Sequence, residues 1–365
     1  MTRSTPIRVL IADDSATVRT ALAELLTADK RLVVVGQARD GVEAVALART
    51  LHPDVITMDV NMPRLDGLGA TAAIMAEAPS RVLVVCSVSE QSQMDLSFKA
   101  MAAGALELLP KPASGTHELR KWGERVAESV RLMAEVPVVR RIRRLSFASG
   151  GGALSVPATM PAPRARLSGT LRSHIGHIDA IGIVASTGGP PALANLLSAL
   201  PGALPVPVLI AQHIGAGFTN GLVRWFASVS RMPVRIAPEG ARALPGNVYL
   251  PPDGLDLEID AQGVLHTPKT VSMNTPSGNR MLFSLARSYG VRAVGIVLTG
   301  MGDDGSLGLL AIRKAGGSTL VQDEATSVVF GMPQAAHALG AAQQVVPLDS
   351  IAPLIVELCR EAETP

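Results

Sequence analysis

Aromatic residues are scarce in this chain: two Trp, two Tyr and six Phe, 3% of 365 residues. That excludes a surface that reads nucleic acid by stacking bases on rings, and it requires aliphatic cores of the kind found in parallel sheets flanked by helices. Cysteine is scarcer still. Cys86 and Cys359 are too few for a disulfide framework or a zinc site, which suits a reducing compartment. Neither sign of charge dominates: a formal net charge of +2 is too small to attract a polyanion, so no nucleic-acid partner is expected. No apolar run approaches the ~20 residues of a membrane span, and Met1 to Arg8 has no hydrophobic signal segment. The expectation is a cytoplasmic protein without membrane insertion.

What is present is a 47% share of hydrophobic residues, enough for two buried α/β cores. From Arg8 to Glu135 short aliphatic runs alternate with helical periodicity. Val9–Ala12, Leu32–Val35, Asp54–Met58, Val82–Val85 and Leu106–Leu109 read as buried strands, giving a five-fold βα repeat on a parallel sheet. Past Val136 the composition changes to a basic run, Arg140-Arg141-Ile142-Arg143-Arg144, and then to stretches rich in Gly, Pro and Ala. These predict a flexible linker over 136–176.

A second alternation starts at Asp179. Its strands are expected at Ala180–Val184, Val208–Ala211, Val248–Leu250, Leu255–Ile259, Ala293–Leu298 and Thr319–Gln322. Helices are expected at Pro190–Ala199, Gly217–Ser230, Arg280–Tyr289, Gly305–Ala315 and Ser350–Glu361. Turns at Pro245-Gly246-Asn247 and Pro251-Pro252-Asp253-Gly254 surround an antiparallel excursion. The chain thus divides into a domain at 7–135, a linker at 136–176, and a doubly wound, mostly parallel α/β domain at 177–365.

Asp13 and Asp14 follow the first strand and Asp59 the third, and in a doubly wound sheet those strand ends are neighbours. Three converging carboxylates repel one another unless a hard cation joins them. Mg²⁺ is the expected cofactor, and such an ion also holds phosphoryl oxygens. Lys111, after the fifth strand, supplies a positive partner for such an oxygen. The Lys111-Pro112 bond is a candidate cis peptide that would aim it.

Ser186 closes the run Ile181-Gly182-Ile183-Val184-Ala185-Ser186-Thr187-Gly188-Gly189-Pro190, at the carboxyl end of a buried strand and just before a helix. Free N–H groups at a helix start can hold negative charge developing on an oxygen. A serine hydroxyl needs a base, for which His213 is placed after Val208–Gln212. Asp303 or Asp304, in Leu298-Thr299-Gly300-Met301-Gly302-Asp303-Asp304-Gly305, would orient the imidazole. Each has a plainer role available: Ser186 and the two aspartates as helix caps, His213 as a satisfied histidine at a strand end. All three at matched strand ends favour an acyl-transfer site. Nucleotide-binding glycine loops are missing around Ser186. Neither the Gly-x-Ser-x-Gly elbow nor the Ser…Asp…His order of the α/β-hydrolases applies.

The N-terminal part resembles the receiver domain of two-component response regulators, through Val9-Leu10-Ile11-Ala12-Asp13-Asp14-Ser15, Met58-Asp59-Val60-Asn61-Met62-Pro63-Arg64-Leu65-Asp66-Gly67 and Lys111-Pro112. The resemblance implies a flavodoxin-like five-stranded parallel sheet and phosphorylation of Asp59 by a histidine kinase. It also implies that Asp14 and the Asn61 carbonyl help ligate the metal, with Asp13 and Asp59 beside them. Cys86 stands where receivers carry Ser or Thr, which makes Ser87 the candidate hydroxyl, with Lys111, for binding the phosphoryl group. Leu108 stands where an aromatic residue is frequent, and the two departures imply either phosphoryl sensing through Ser87 or a damped switch.

From Ile181 onward the chain resembles the catalytic domain of the CheB methylesterases. Besides the Ser186 and Asp304 segments, the matches are Gln212-His213-Ile214, Ala216-Gly217-Phe218-Thr219, Leu244-Pro245-Gly246-Asn247-Val248-Tyr249-Leu250 and Val329-Phe330-Gly331-Met332-Pro333. That family pattern implies a triad of Ser186, His213 and Asp304, the last chosen over Asp303. It implies backbone N–H groups at Thr187 and Met301 as oxyanion donors, and no cofactor for the esterase step. The implied substrates are glutamate γ-methyl esters, and specific glutamines, on cytoplasmic helices of methyl-accepting chemoreceptors. Methanol is released, and the receiver lies over the site until Asp59 is phosphorylated. Pro276 to Phe283 is longer than the family segment and lacks its acid, which implies either a change in which receptor helix is accepted or a chemosensory pathway other than flagellar chemotaxis. Two other readings keep part of this: a phospho-receiver whose second domain only docks partners, and a serine hydrolase with another substrate.

Overall fold

The computed structural model describes residues 5–86, 91–112, 116–135, 177–270 and 275–361. The linker expected at 136–176, and Ser87, lie outside the described residues.

The first sheet contains β1 (Ile7–Ala12), β2 (Leu32–Ala38), β3 (Val55–Asp59), β4 (Arg81–Cys86) and β5 (Glu107–Pro110). Their order is β2-β1-β3-β4-β5, and every pairing is parallel. Side chains alternate between two covered faces, which is why these strands read as continuous apolar runs. Ile7, Val9 and Ile11 of β1 pack with Leu22 and Leu26 of α1 (Ala16–Thr27). Trp122, Val126 and Val130 of the last helix of this unit (Thr116–Glu135) join the same cluster. Leu10 and Ala12 face the other way, among Ala44, Ala48 and Ile74 from the helices Gly41–Leu51 and Gly67–Glu77. The fourth helix of the unit, Gln91–Ala103, leads into β5.

The second sheet contains β6 (Ala180–Ala185), β7 (Val208–Gln212), β8 (Val234–Ile236), β9 (Val248–Leu250), β12 (Ala293–Val297), β13 (Ser318–Gln322) and β14 (Gln344–Val346). Its order is β14-β13-β12-β6-β7-β9-β8, again parallel throughout. Between β9 and β12, β10 (Glu258–Ile259) and β11 (Leu265–His266) form the antiparallel excursion. Its flanking helices are Gly189–Ala199, Thr219–Val229, Gly278–Tyr289, Ser306–Lys314, Gly331–Ala338 and Leu348–Glu361.

Two expectations are corrected. The strand expected at Leu255–Ile259 shrinks to Glu258–Ile259, because Leu255 makes only an isolated bridge to Lys269 and the Asp256 side chain turns inward to accept the Ser277 N–H. Lys111-Pro112 is not cis; among the described residues the cis bond is Thr275-Pro276. The short edge strands β8 and β14, and the helix Gly331–Ala338, add elements that apolar periodicity did not reveal.

Both sheets are built outward from their first strand. β1 lies between β2 and β3, and β6 lies between β7 and β12. Each sheet therefore has a crevice at the carboxyl ends of its central strands, where the direction of winding reverses. Asp13 and Asp59 open onto the first crevice, Ser186 and Met301 onto the second.

Candidate active site

Strand register sets the geometry around Ser186. β6 and β7 pair Ala185 with Gln212, so Ser186 and His213 leave the sheet side by side, and the His213 N–H donates to the Ala185 carbonyl at 3.0 Å. On the other flank the Ser186 N–H donates to the Thr299 carbonyl at 3.0 Å. Gly300 presses against the serine: a Cβ there would lie 2.7 Å from Ser186 Cβ, so a side chain would force the turn after β12 away.

His213 Nε2 lies 2.7 Å from Asp304 Oδ2. Asp304 is buried, and its carboxylate also accepts the N–H groups of Gly278 (2.6 Å) and Asn279 (2.9 Å), in the first turn of the helix Gly278–Tyr289. Burial pushes this carboxyl up, but the His213 hydrogen bond and charge, with the two backbone donors, outweigh it and hold the group below the ordinary aspartate range. With Nε2 turned to Asp304, Nδ1 is the ring nitrogen left for other work. No hydrogen bond joins His213 to Ser186 Oγ among the described residues, and without substrate such bonds are often long or poorly aligned.

The plainer cap roles do not hold. The helix Gly189–Ala199 is capped by Gly188, in the left-handed region at φ 75°, and Ser306–Lys314 by Gly305, both without a side-chain cap bond. Asp303 is exposed, and Asp304 is the aspartate brought to His213. Beside Ser186, neither the Thr187 N–H nor the Met301 N–H donates to an acceptor among the described residues.

Both sheets contribute to a cavity of about 580 Å³ in front of Ser186. Ser186, Thr187 and His213 line one wall and Leu106, Glu107 and Leu108 the other. Across this seam the Gly188 N–H donates to the Leu106 carbonyl at 3.2 Å. Phe98 meets Phe218 edge-on, with ring centroids 6.4 Å apart, and Trp225 at 5.8 Å. Four of the chain's ten aromatic residues, counting Phe226 beside Trp225, gather there.

In the first crevice, carboxylate oxygens of Asp13, Asp14 and Asp59 lie within 4.8 Å of one another. Lys111 Nζ is 2.7 Å from Asp13 and 3.0 Å from Asp59. Burial pushes the Asp59 carboxyl up to about 6 against the pull of Lys111, while burial of Lys111 is outweighed by Asp59 and Asp13, which raise it. An all-carboxylate donor set with a free acidic edge at exposed Asp14 fits a hard divalent cation such as Mg²⁺. Asn61 is exposed two residues beyond Asp59. Cys86 is buried at the end of β4 with its thiol pushed up to about 11 by burial, so it is a neutral group beside the pocket.

Two family models match the chain: the response regulator receiver domain over residues 9–121 and CheB methylesterase over residues 181–355. A Myxococcus xanthus protein named "Protein-glutamate methylesterase/protein-glutamine glutaminase 3" is 53% identical over 97% of this chain and 94% of its own length. The chain belongs to the CheB methylesterase family. An Anaeromyxobacter dehalogenans protein bearing the same name is 42% identical over 95% of this chain and 97% of its own. The crystal structure of the Thermotoga maritima CheB methylesterase catalytic domain has 33% identity and a TM-score of 0.48, covering 50% of this chain and 98% of that one.

The segment Pro276 to Phe283 lies directly behind Asp304. It supplies the Gly278 and Asn279 donors and leaves Phe283 exposed. Those donors are main-chain groups, so no residue type announced them. Gln212 did stand in the Gln-His-Ile motif, but a glutamine at a strand end carries no chemical signal until its partners are known.

Proposed function

We propose that this chain is a phosphorylation-gated hydrolase that removes γ-methyl esters from glutamates of methyl-accepting chemoreceptors, and deamidates specific glutamines by the same path. The observation that carries this reading is the 2.7 Å contact between His213 and a buried Asp304, with the imidazole on the strand next to Ser186. Asp304 holds the Nε2–H tautomer, leaving Nδ1 to take the Ser186 Oγ proton as that oxygen attacks the ester carbonyl. The N–H groups of Thr187 and Met301 hold the oxyanion. The C–O bond to methoxide breaks, and His213 returns the proton to release methanol. Water, deprotonated by His213, then attacks the acyl-serine and frees the glutamate carboxylate. With glutamine, ammonia leaves instead.

The receiver at 7–135 governs access through the linker 136–176 to the catalytic domain at 177–365. Asp59 accepts a phosphoryl group from a histidine kinase. Asp13, Asp14, Asp59 and the Asn61 carbonyl would hold Mg²⁺, which when bound neutralises charge on the phosphoryl oxygens. Lys111 and Ser87 bind those oxygens, so Lys111 must loosen its pairs with Asp13 and Asp59. Lys111 directly follows β5, and β5 lines the cavity, which supports a mechanical link between the two crevices. The reaction is cytoplasmic, on receptor helices that face that compartment; no helix among the described residues is long and apolar enough to cross a membrane.

Methanol release from methylated receptors, with and without a small phosphodonor, tests the whole scheme. Ser186→Ala abolishes release while Asp59 is still phosphorylated, and Asp59→Asn keeps basal release but no longer responds to the donor. Full esterase activity in Ser186→Ala would overturn it.

A further inference from the structure

Two peptide planes flank the reactive serine, one joining Ser186 to Thr187 and the other joining Gly300 to Met301. A trans peptide is planar, with its C=O and N–H pointing in opposite directions, so holding the carbonyl aims the amide. The Ser186 carbonyl accepts the Gly189 N–H at 2.7 Å and Gln212 Nε2 at 3.0 Å. The Gly300 carbonyl accepts the N–H groups of Gly331 at 3.1 Å and Met332 at 2.8 Å, at the start of the helix Gly331–Ala338. Each carbonyl therefore has two donors, while the N–H sharing its plane, on Thr187 or Met301, is left without a protein acceptor among the described residues.

Three of those four donors are main-chain groups, and Gln212 is the exception. Its side chain is buried, at 3% exposure, and the amide also donates to the His213 carbonyl at 2.8 Å. Both partners are carbonyls, which fixes the nitrogen end of the carboxamide. The oxygen end has no partner and points at Gly189, where a Cβ would lie 2.1 Å from it. A buried acceptor without a donor is costly, and an apolar side chain would fill the strand end without that cost. What the carboxamide uniquely supplies is its pair of donated hydrogen bonds.

We propose that Gln212 is a positioning residue of the oxyanion hole. It pins the Ser186 carbonyl so that the Thr187 N–H of the same plane stays aimed at the developing oxyanion, and it ties that plane to the turn carrying His213. The inference rests on the hydrolase reading above, and it acts on transition-state stabilisation rather than on substrate binding.

The test compares the full chain with Gln212→Met, both stimulated by phosphodonor, on methylated receptor. The expected kcat falls about 10- to 100-fold, up to the loss of one oxyanion donor, with KM within about twofold. Affinity for a trifluoromethyl ketone analogue of the glutamyl ester, whose Ser186 adduct carries an oxyanion, falls by the same factor. The midpoint of the pH dependence of kcat does not move. Gly189→Ala displaces the same carboxamide from the opposite side and gives the same paired loss, which covers the case of a Met variant that does not fold. Unchanged kcat in a folded variant overturns the proposal, as does a loss of kcat with ketone affinity intact. A parent protein that releases no methanol overturns the hydrolase reading itself, and that is measured before any variant.

Discussion

Phe98 of the receiver sits in a notch made by Gly221 of the catalytic domain: a Cβ on that glycine would lie 2.4 Å from Phe98 Cε2. Gly221 is inside the helix Thr219–Val229, where alanine is intrinsically better by about 1 kcal/mol. The glycine is therefore explained by the ring it admits and not by the helix that contains it.

Gly221→Ala is expected to push the ring out and weaken the seam, and Phe98→Ala to empty it. If the closed arrangement loses about 1.4 kcal/mol, the open population rises about tenfold while it remains the minor state. Basal methanol release should rise accordingly, and the stimulation by phosphodonor should shrink by a similar factor. Rates measured with and without the donor decide it; an unchanged ratio in both variants would show that the seam does not gate the site.

Asp304→Asn keeps the shape of the site but not the charge that holds the His213 tautomer. A fall in kcat of about 10⁴-fold is expected at neutral pH. The same substitution has a signature in stability. The parent carboxyl is held below its unfolded value of 3.8, so its contribution is present above that pH and is lost as pH falls through the folded value. Denaturant unfolding of the two proteins should therefore differ at pH 7 and converge in acid. A gap independent of pH would mean that packing, not ionisation, carries the difference.

Glu107, on the receiver wall of the cavity, titrates in the opposite sense. It is only half-buried as a residue, yet enclosure of its carboxyl, only partly relieved by Ser129 and Arg125, pushes it up to about 7. The unfolded chain ionises there near 4.5, so Glu107's contribution to the stability of the parent declines as pH rises from 4.5 to about 7 and then levels. Glu107→Gln removes that slope. Unfolding midpoints taken at half-unit steps from pH 4.5 to 8 would expose it, and parallel curves for parent and variant would count against a protonated Glu107.

Much of this architecture was legible because parallel strands buried on both faces leave unbroken Val, Ile and Leu runs, as at Val9–Ala12 and Ala180–Val184. Side-chain chemistry was equally plain wherever a Ser, His or Asp ended such a run. Three-residue edge strands such as Val234–Ile236 and Gln344–Val346 have too few positions to show a period. The helix Gly331–Ala338 opens with Gly-Met-Pro, which reads as a breaker although proline is tolerated in a first turn. What stayed hidden at the site was main-chain work, such as the Gly278 and Asn279 donors to Asp304. Register, not residue type, brings those amides to the carboxylate.

The bond from the Gly188 amide to Leu106 has a genetic consequence. The acceptor is a carbonyl that every amino acid possesses, so no single replacement at position 106 can delete it. The contact is inherited through the course of the chain entering β5 and is blind to the letter written there. Sequence drift on this side of the cavity can reshape the wall while leaving that tie intact. Breaking it requires the backbone itself to move.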